Sequence, residues 1–397
     1  MFPKLRFKEF DGDLTESKLV ELTSWASGGT PAKDVPEYWG DGIPLISGAS
    51  MHTNQLYESD VKITKLGLQK GSKLALKDSI LILVRGSMLF NKIPMGITLG
   101  DVAFNQDVKC IRPKQQLAPL FLFQWLHAKE NTIQNKVTAT GIGAGKLDTA
   151  DLQNLKLYKP SLEEQTKIAT FLSAVDEKIS QLTQKHQLLR EYKQGMMQKL
   201  FSQQVRFKAD DKSEFGEWEE KKLGEISTTF SGGTPKSTNK KFYQGTIPFI
   251  KSGEISQKHT EQFINELALK ESSAKLVKKG DLLYALYGAT SGQVAISQID
   301  GAINQAVLCI RSNLNTIYLL NFFLWKKDSI LSTYLQGGQG NLSAAILKEI
   351  FVPVPCLEEQ TKIANCLSAI DQKIEVVAQQ IEQAKQWKKG LLQQMFI

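Results

Sequence analysis

Basic and polar side chains are concentrated in short turns between segments of alternating hydrophobicity. Glycine in such turns lets a ligand approach the backbone closely, and Lys, Arg, Asn and Ser side chains contact phosphates and base edges. Each residue taken singly is equally compatible with an ordinary solvated loop. The candidate nucleic-acid contacts are Lys33 in SGGTPAK, Arg85 and Lys92 in VRGSMLFNK, Lys236, Lys240 and Lys241 in SGGTPKSTNKK, Lys251 in IKSGE, and Tyr287 in GDLLYALYGA.

The reactive residue types show no spacing that supports catalysis or metal binding. The four cysteines lack the short paired spacings of zinc and redox motifs, and the four histidines are scattered. There is no Asn-Pro dipeptide, and therefore no Asn-Pro-Pro-aromatic signature of an amino-methyltransferase. We predict a non-catalytic chain that binds no metal and no cofactor. The cysteines expected to be buried and inert are Cys110, Cys309, Cys356 and Cys366.

Two glycine-rich stretches occupy equivalent places in the sequence. They are TGIGAGKL at 140–147 and QGGQGNLS at 336–343. The first lacks the glycine and Ser/Thr positions that a nucleotide-binding P-loop requires. We predict that both are hinges or loops that face nucleic acid.

Composition favours a polyanionic partner. The formal net charge is +8 and the pI is near 9.0, and neutralising phosphates releases counterions in a sequence-independent way. A length of 397 residues predicts two domains. No apolar run approaches the roughly 20 residues that cross a membrane, and no signal peptide is recognisable. We therefore expect a cytoplasmic protein without membrane contacts.

The chain is an internal repeat. LEEQTKIA begins at Leu162 and again at Leu357, 195 residues later (357 − 162), and LSAVDEKI is followed at the same offset by LSAIDQKI. SGGTP, Ile-Pro and the pair NQDVKCIR and NQAVLCIR also recur, but their offsets vary between 199 and 204. This pattern indicates a constant frame that carries two divergent blocks.

The repeat is circular in its organisation. Arg206-Phe207-Lys208, which follows the first frame segment, matches Arg6-Phe7-Lys8 near the beginning of the sequence. We expect the two ends of this chain to meet in space, so that a circular permutant opened within 202–211 folds.

Each frame segment is predicted to be one long helix. Apolar residues recur in alternating steps of four and three, as in Ile168, Leu172 and Val175, which is typical of a coiled-coil seam. About 40 residues at 1.5 Å each make a rod of roughly 60 Å. The two helices are predicted to pair with each other in antiparallel fashion. Lys193 and Lys388 fall on the seam, where they either fix the register or extend their amines to solvent.

The blocks between the helices are predicted to be α+β domains. Short strands alternate with turns, and each block adds one helix, near 119–130 and 316–328. The predicted boundaries are 1–160 for the first domain, with 1–17 completing the repeat, 161–201 for the first long helix, 202–355 for the second domain and 356–397 for the second long helix. Ser161 is predicted to cap the first long helix.

These motifs, repeated in tandem over nearly the whole chain, resemble the DNA-specificity (S) subunit of type I restriction–modification systems. The resemblance implies two target-recognition domains that read the halves of a bipartite double-stranded DNA target, with the helices fixing the gap. It implies two methyltransferase (M) subunits and restriction (R) subunits as partners. S-adenosylmethionine, and the ATP and Mg used in restriction, are then expected in those partners rather than in this chain.

The identical LEEQTKIA copies suggest a surface that is presented twice to the same kind of partner. A packing constraint would preserve the same letters equally well. The candidate docking residues are Glu163, Glu164, Gln165 and Lys167 in the first copy and Glu358, Glu359, Gln360 and Lys362 in the second.

Other classes of function remain open at this stage. A stand-alone enzyme that acts on DNA would modify or cut it unaided when given S-adenosylmethionine or a divalent metal. A coiled-coil adaptor with incidental basic loops would bind DNA without a preferred sequence.

Overall fold

The computed structural model describes residues 3–141, 143–334 and 342–396. Contacts divide the chain into two compact units, Met1–Thr183 with Gln379–Ile397 (unit 1) and Gln184–Ala378 (unit 2). Of the two glycine-rich loops predicted from the sequence, Ile142 and residues 336–341 lie outside the described residues.

Unit 1 contains small sheets of short strands. Their order is β1-β14, β5-β3-β10-β6, β2-β11-β7-β9-β4 and β12-β13-β8. The strand ILIL at 80–83 is buried at all four positions, as expected for a strand that is covered on both faces. The strands are β1 Thr15–Lys18, β2 Thr23–Ser27, β3 Trp39–Ile46, β4 Gln55–Leu56, β5 Lys62–Ile63, β6 Lys73–Ala75, β7 Ile80–Leu83, β8 Arg85–Gly86, β9 Met95–Thr98, β10 Val102–Phe104, β11 Val108–Pro113, β12 Thr138–Ala139, β13 Gly145–Lys146 and β14 Lys156–Lys159.

Helices begin in unit 1 at residues suited to capping. The Thr64 hydroxyl accepts a hydrogen bond from the Gly67 amide at 3.1 Å. The Ser161 hydroxyl accepts one from the Glu164 amide at 3.2 Å, which confirms the predicted cap. The helices are α1 Leu19–Leu22, α2 Lys65–Gly71, α3 Pro119–Ala128, α4 Glu130–Gln134, α5 Thr149–Gln153 and α6 Leu162–Phe201, which continues into unit 2.

Unit 2 repeats this plan. Its sheet orders are β15-β24, β16-β23-β20-β21 and β18-β17-β22-β19. The strands are β15 Glu219–Lys222, β16 Ser227–Ser231, β17 Ile247–Ile250, β18 Phe263–Ile264, β19 Lys275–Val277, β20 Leu282–Ala285, β21 Val294–Ile296, β22 Gly301–Ile303, β23 Val307–Ser312 and β24 Phe351–Val354. The helices are α7 Leu223–Ile226, α8 Glu266–Glu271, α9 Thr316–Tyr334, α10 Ala344–Lys348 and α11 Leu357–Met395, which continues into unit 1.

The seam of the long helices is buried within each unit. In unit 1, Leu172 of α6 and Leu391 of α11 belong to one core cluster with the sheet residues. In unit 2, Leu200 of α6 and Leu367 of α11 do the same. The predicted fold class, α+β blocks joined by a pair of long antiparallel helices, is confirmed.

Polar contacts fix the register of these helices. In unit 1 the Lys388 amine lies 2.6 Å from the Asp176 carboxylate, and in unit 2 the Lys193 amine lies 2.7 Å from the Asp371 carboxylate. Both lysine side chains are mostly buried, at 12% and 13% exposure. Of the two readings of the seam lysines, the structure supports register fixing, because each amine ends on a carboxylate of the opposite helix.

Candidate nucleic-acid interface

Each SGGTP turn closes onto the Asn-Gln turn of the same unit. In unit 1 the Thr30 hydroxyl donates to Oε1 of Gln106 at 2.7 Å, and in unit 2 the Thr234 hydroxyl donates to Oε1 of Gln305 at 2.6 Å. Both glutamine side chains are exposed. Each unit therefore presents an oriented amide at its surface.

The glycines of SGGTP serve the packing of this turn. A Cβ added at Gly28 would overlap the carbonyl oxygen of Phe104, and one added at Gly232 would overlap that of Ile303. The sequence predicts that these glycines admit a ligand. Their close neighbour is instead the backbone that leads into the Asn-Gln turn, so their role is structural.

A pair of cations lies beside this turn in unit 1. Arg85 of β8 is directly opposite Lys146 of β13, and both side chains are exposed. Like charges that face each other across strands destabilise a sheet. The Val84 amide donates to the carbonyl of Asp107, at 2.8 Å, which holds this pair next to the turn that carries Gln106.

Tyr287 occupies the position of Arg85 in unit 2. The Leu286 amide donates to the carbonyl of Ala306 at 2.8 Å, as Val84 does to Asp107. The next residue is half-buried Tyr287 in one unit and exposed Arg85 in the other. This position is therefore equivalent in the fold and different in chemistry.

The remaining predicted contacts lie on nearby turns. In unit 1, Lys33 is exposed in a loop that Trp39 holds by donating from Nε1 to the carbonyl of Ala32 at 2.9 Å, and Lys92 is exposed after the 3₁₀ turn Ser87–Phe90. In unit 2, Lys236, Lys240 and Lys241 are all exposed. Lys240 and Lys241 belong to a 3₁₀ turn. The Tyr243 hydroxyl connects this turn to the SGGTP loop by donating a hydrogen bond to the carbonyl of Pro235 at 2.6 Å. Lys251 is half-buried, and its amide donates to Glu254, so its backbone shapes a turn.

Sequence reasoning missed Gln106, Gln305 and Lys146. A signal for the glutamines was available, because both copies of the NQ motif retain this residue. Lys146 lies in TGIGAGKL, which the sequence predicts to be a hinge or a loop that faces nucleic acid without indicating this residue.

In each copy of LEEQTKIA, an acidic and an amide side chain form hydrogen bonds that attach the start of the long helix to its own unit. Glu164 is 2% exposed, and its carboxylate accepts hydrogen bonds from Nε and Nη2 of Arg6 at 2.8 and 2.7 Å. Glu359, 1% exposed, accepts from the same atoms of Arg206 at 3.1 and 2.8 Å. These hydrogen bonds to the carboxylates raise the pKa of both arginines further above their usual value.

The adjacent glutamines are also internal. Oε1 of Gln165 accepts from the Ala118 amide at 2.9 Å, and Oε1 of Gln360 accepts from the Asn315 amide at 2.8 Å. The structure therefore corrects the docking prediction for Glu164, Gln165, Glu359 and Gln360, because buried side chains that are hydrogen-bonded within the chain offer no surface to a partner.

The exposed part of each motif remains a docking candidate. In unit 1, Leu162, Glu163 and Lys167 border a shallow groove together with Glu9 and Phe10. Leu162 is 52% exposed, and its counterpart Leu357 is 61% exposed. Lys167 forms an ion pair with Glu9, and the half-buried Lys362 forms one with Asp210, beside the exposed Glu358.

The cysteines differ from one another in exposure. Burial raises the pKa of Cys110, and burial together with the Asp281 carboxylate raises the pKa of Cys309 to about 12. Cys356 is exposed and Cys366 is half-buried, so the expectation that all four are buried is wrong for these two. Cys356 precedes α11 at the place of Ser161, where the side chain points into solvent rather than into a core.

The described residues hold neither a metal-binding cluster nor a membrane-spanning helix. Across residues 3–141, 143–334 and 342–396, no cluster of His, Cys, Asp and Glu could hold a metal ion. Within the same described part of the chain, no helix has both the length and the apolar character needed to cross a membrane.

Comparisons with known proteins agree with the internal repeat. The family model for the type I restriction modification DNA specificity domain matches residues 12–190 and again residues 216–386. The chain belongs to this family, and it carries two copies of the recognition domain.

Individual relatives match over nearly their whole length. The putative type I restriction enzyme MjaX specificity subunit of Methanocaldococcus jannaschii is 28% identical, over 98% of this chain and 94% of that protein. The solved type I S subunit from M. genitalium covers 100% of this chain and 99% of its own, with a TM-score of 0.61 and 18% identity. A chain from a structure on complex assembly and conformational transition of the type I R-M system covers 97% of both chains, with a TM-score of 0.59 and 15% identity.

Proposed function

We propose that each unit reads one half of a two-part DNA target and that the paired helices α6 and α11 set the gap between the halves. The observation that carries this is the repeated register contact. Asp176–Lys388 in unit 1 and Asp371–Lys193 in unit 2 join equivalent positions of opposite helices. A pair locked near both ends cannot slide, so its length defines a distance.

The asymmetry of the proposed DNA target follows from a difference between the long helices, whose contacts are repeated, and the turns, whose residues differ between the units. The frame contacts are the same in both units, whereas Arg85 and Tyr287 differ at one equivalent position. Two unlike readers on a repeated frame recognise an asymmetric sequence that is interrupted by bases they do not read.

Docking of two methyltransferase subunits is the second part of the proposal. The exposed faces at Leu162 and Leu357 carry the same residues and expose an apolar side chain beside charged ones. Such a surface suits a protein partner, and its duplication suits two copies. Restriction subunits join this core. S-adenosylmethionine, ATP and Mg are bound by the partners, and this chain itself performs no chemistry.

Changing the helix length tests the spacing. Seven residues are inserted into α6 between Asp176 and Lys193, and seven into α11 between Asp371 and Lys388, which preserves the seam and both ion pairs. The helices lengthen by roughly 10 Å, equivalent to about three base pairs. Methylome sequencing is expected to show unchanged half-sites separated by a longer gap. An unchanged gap in a stably folded variant contradicts the proposal, and insertion into α6 alone serves as the control that breaks the pairing.

Two further measurements address the partners and the chemistry. Native mass spectrometry is expected to give two methyltransferase subunits per chain, and loss of one when Leu162→Glu is introduced. A stoichiometry of one with the unaltered chain excludes the paired docking faces. The purified chain, incubated with DNA and either S-adenosylmethionine or a divalent metal, is expected to leave the DNA unchanged, unlike a stand-alone enzyme.

A further inference from the structure

The Thr–Gln pairs are repeated in position and chemistry. Gln106 follows β10 and Asn105, and Gln305 follows β22 and Asn304. Each glutamine accepts a hydrogen bond from the threonine of its SGGTP turn. With Oε1 engaged in this way, the amide NH₂ of each glutamine is directed away from the threonine and is available as a donor.

A lysine lies beside each pair. Lys73 of β6 is the partner of Phe104, two residues before Gln106. Lys275 of β19 is the partner of Ile303, two residues before Gln305. Both lysines are exposed, and neither has an ion-pair partner among the described residues. Each unit thus has an oriented donor and, on the strand paired with the one that leads into it, an exposed lysine.

The adjacent position is not repeated. Arg85 faces Lys146 in unit 1, with no carboxylate paired to either across the part of the chain that the structure describes, whereas unit 2 has Tyr287. A pair of facing cations is stabilised when an anion or an electronegative base edge approaches both. Arginine and lysine donate to guanine, but tyrosine offers a ring and one hydroxyl.

We propose that Thr30–Gln106 with Lys73, and Thr234–Gln305 with Lys275, bind DNA phosphates, and that the position of Arg85 and Tyr287 sets the base preference of its half-site. Phosphate contacts fix position without reading sequence, so they can be the same in both units. Base contacts must differ between unlike half-sites. This assignment rests on the proposed DNA-reading function.

The test compares the full chain and its variants on three duplexes by fluorescence anisotropy over a range of KCl concentrations. The duplexes are the target defined by methylome sequencing, the same target with one half-site replaced, and a random sequence. Gln115→Ala and Lys178→Ala are the matched controls, because both residues are exposed and lie outside these turns. Thermal melts confirm that every variant is folded.

Phosphate contacts predict a uniform loss. Gln106→Ala and Gln305→Ala are expected to weaken binding to target and random DNA alike, by about three- to tenfold each. Lys73→Ala and Lys275→Ala are expected to reduce the slope of log affinity against log salt by about 0.9 each. A Gln106→Ala variant that changes base preference and keeps its affinity for random DNA overturns this assignment.

The specificity position predicts a selective loss. Arg85→Ala is expected to lower the preference for the unit 1 half-site by about tenfold and to leave the other half-site unchanged. Tyr287→Ala is expected to do the reverse. Equal weakening on all duplexes by either variant overturns the specificity role. If the unaltered chain prefers no sequence, the DNA-reading proposal itself fails, and the random duplex still decides whether the glutamine and lysine contacts exist.

Discussion

The backbone amide of Leu5 donates a hydrogen bond to the carbonyl of Gln394 at 2.9 Å, inside unit 1. The equivalent bond in unit 2 joins the amide of Val205 to the carbonyl of Lys199 at 3.2 Å. The hydrogen bond in unit 2 lies within continuous chain, whereas the one in unit 1 connects residues near opposite ends of the sequence. Leu5 and Gln394, near the two ends of the sequence, therefore meet as expected, while residues 1, 2 and 397 lie outside the described residues.

Ring contacts repeat the same relationship. Phe396 lies 5.4 Å from Phe121, and Phe201 lies 5.4 Å from Tyr318, measured between ring centroids. Each recognition domain therefore packs its helix, α3 or α9, on the end of a long helix that belongs to the other copy of the sequence.

A circular permutant is expected to fold. Residue 397 is joined to residue 1, and new ends are made between Gln203 and Gln204. In the joined chain seven residues (395–397 and 1–4) separate Gln394 from Leu5, compared with five (200–204) between Lys199 and Val205, so the new connection is long enough. The melting temperature is expected to stay within about 5 °C of the original chain. A permutant opened inside the buried strand Ile80–Leu83 is the destabilised control. If the first permutant fails to fold, the connection between the two ends is not equivalent to the connection between Lys199 and Val205.

Removing the aspartate of an interhelical ion pair is expected to lower the free energy of unfolding more in unit 1 than in unit 2. Asp176 is 30% exposed and also accepts from Nε2 of Gln124 at 2.8 Å, whereas Asp371 is 49% exposed. Asp176→Ala is therefore expected to lower the free energy of unfolding by about 2 kcal/mol and Asp371→Ala by about 1 kcal/mol.

Urea denaturation measures these losses. Lys389→Met is the control, because Lys389 is exposed next to Lys388. The double variant Asp176→Leu/Lys388→Met is expected to recover most of the loss, since an apolar pair leaves no buried charge. If Asp176→Ala is no more costly than Lys389→Met, the ion pair does not stabilise the helix pair.

Replacing the arginine that binds the buried glutamate of each long helix is expected to lower the free energy of unfolding more in unit 1 than in unit 2. Arg6→Met leaves the carboxylate of Glu164 buried without its bidentate donor. Arg206→Met leaves Glu359 with one further donor, Nε1 of Trp218 at 2.8 Å. We expect losses of about 3 and about 2 kcal/mol, respectively, because a buried charge retains part of its stabilisation when one hydrogen bond remains.

Denaturation of the double variant Arg6→Met/Glu164→Gln provides the decisive comparison. Neutralising the carboxyl is expected to restore about half of the loss. Lys8→Met, at an exposed neighbouring position, is expected to have little effect. No recovery in the double variant means that Arg6 acts through packing rather than charge.

Thiol reactivity is expected to follow exposure. At pH 8 the raised pKa of Cys309, about 12, keeps its sulfur protonated, and the thiolate is the reactive form. Cys356 is exposed and is expected to be alkylated first, with the half-buried Cys366 slower. Mass spectrometry of the alkylated peptides follows each site, and urea-unfolded protein is the reference. Labelling of Cys309 in the folded chain as fast as Cys356 disproves its burial.

Periodicity is visible within a short stretch of sequence, and a repeat is visible when two stretches are compared. The sequence therefore predicts the long helices, their seam and the two related blocks. Contacts between distant residues are not encoded in this way. Thr30 and Gln106 are 76 positions apart, and nothing in either motif indicates the hydrogen bond between them. Likewise, identity between the LEEQTKIA copies does not distinguish a shared surface from a shared core, and Glu164 proved to be internal.

The interhelical contact of Asp176 with Lys388 has an evolutionary consequence. Each of these residues depends on a partner more than 200 positions away, so a single inherited change at either one is penalised until the other follows. The side chains of Arg85 and Tyr287 form no ion pair with a distant carboxylate among the described residues. Descendants can therefore acquire new preferences at these turns by ordinary point mutation, while the helical frame is inherited almost unchanged.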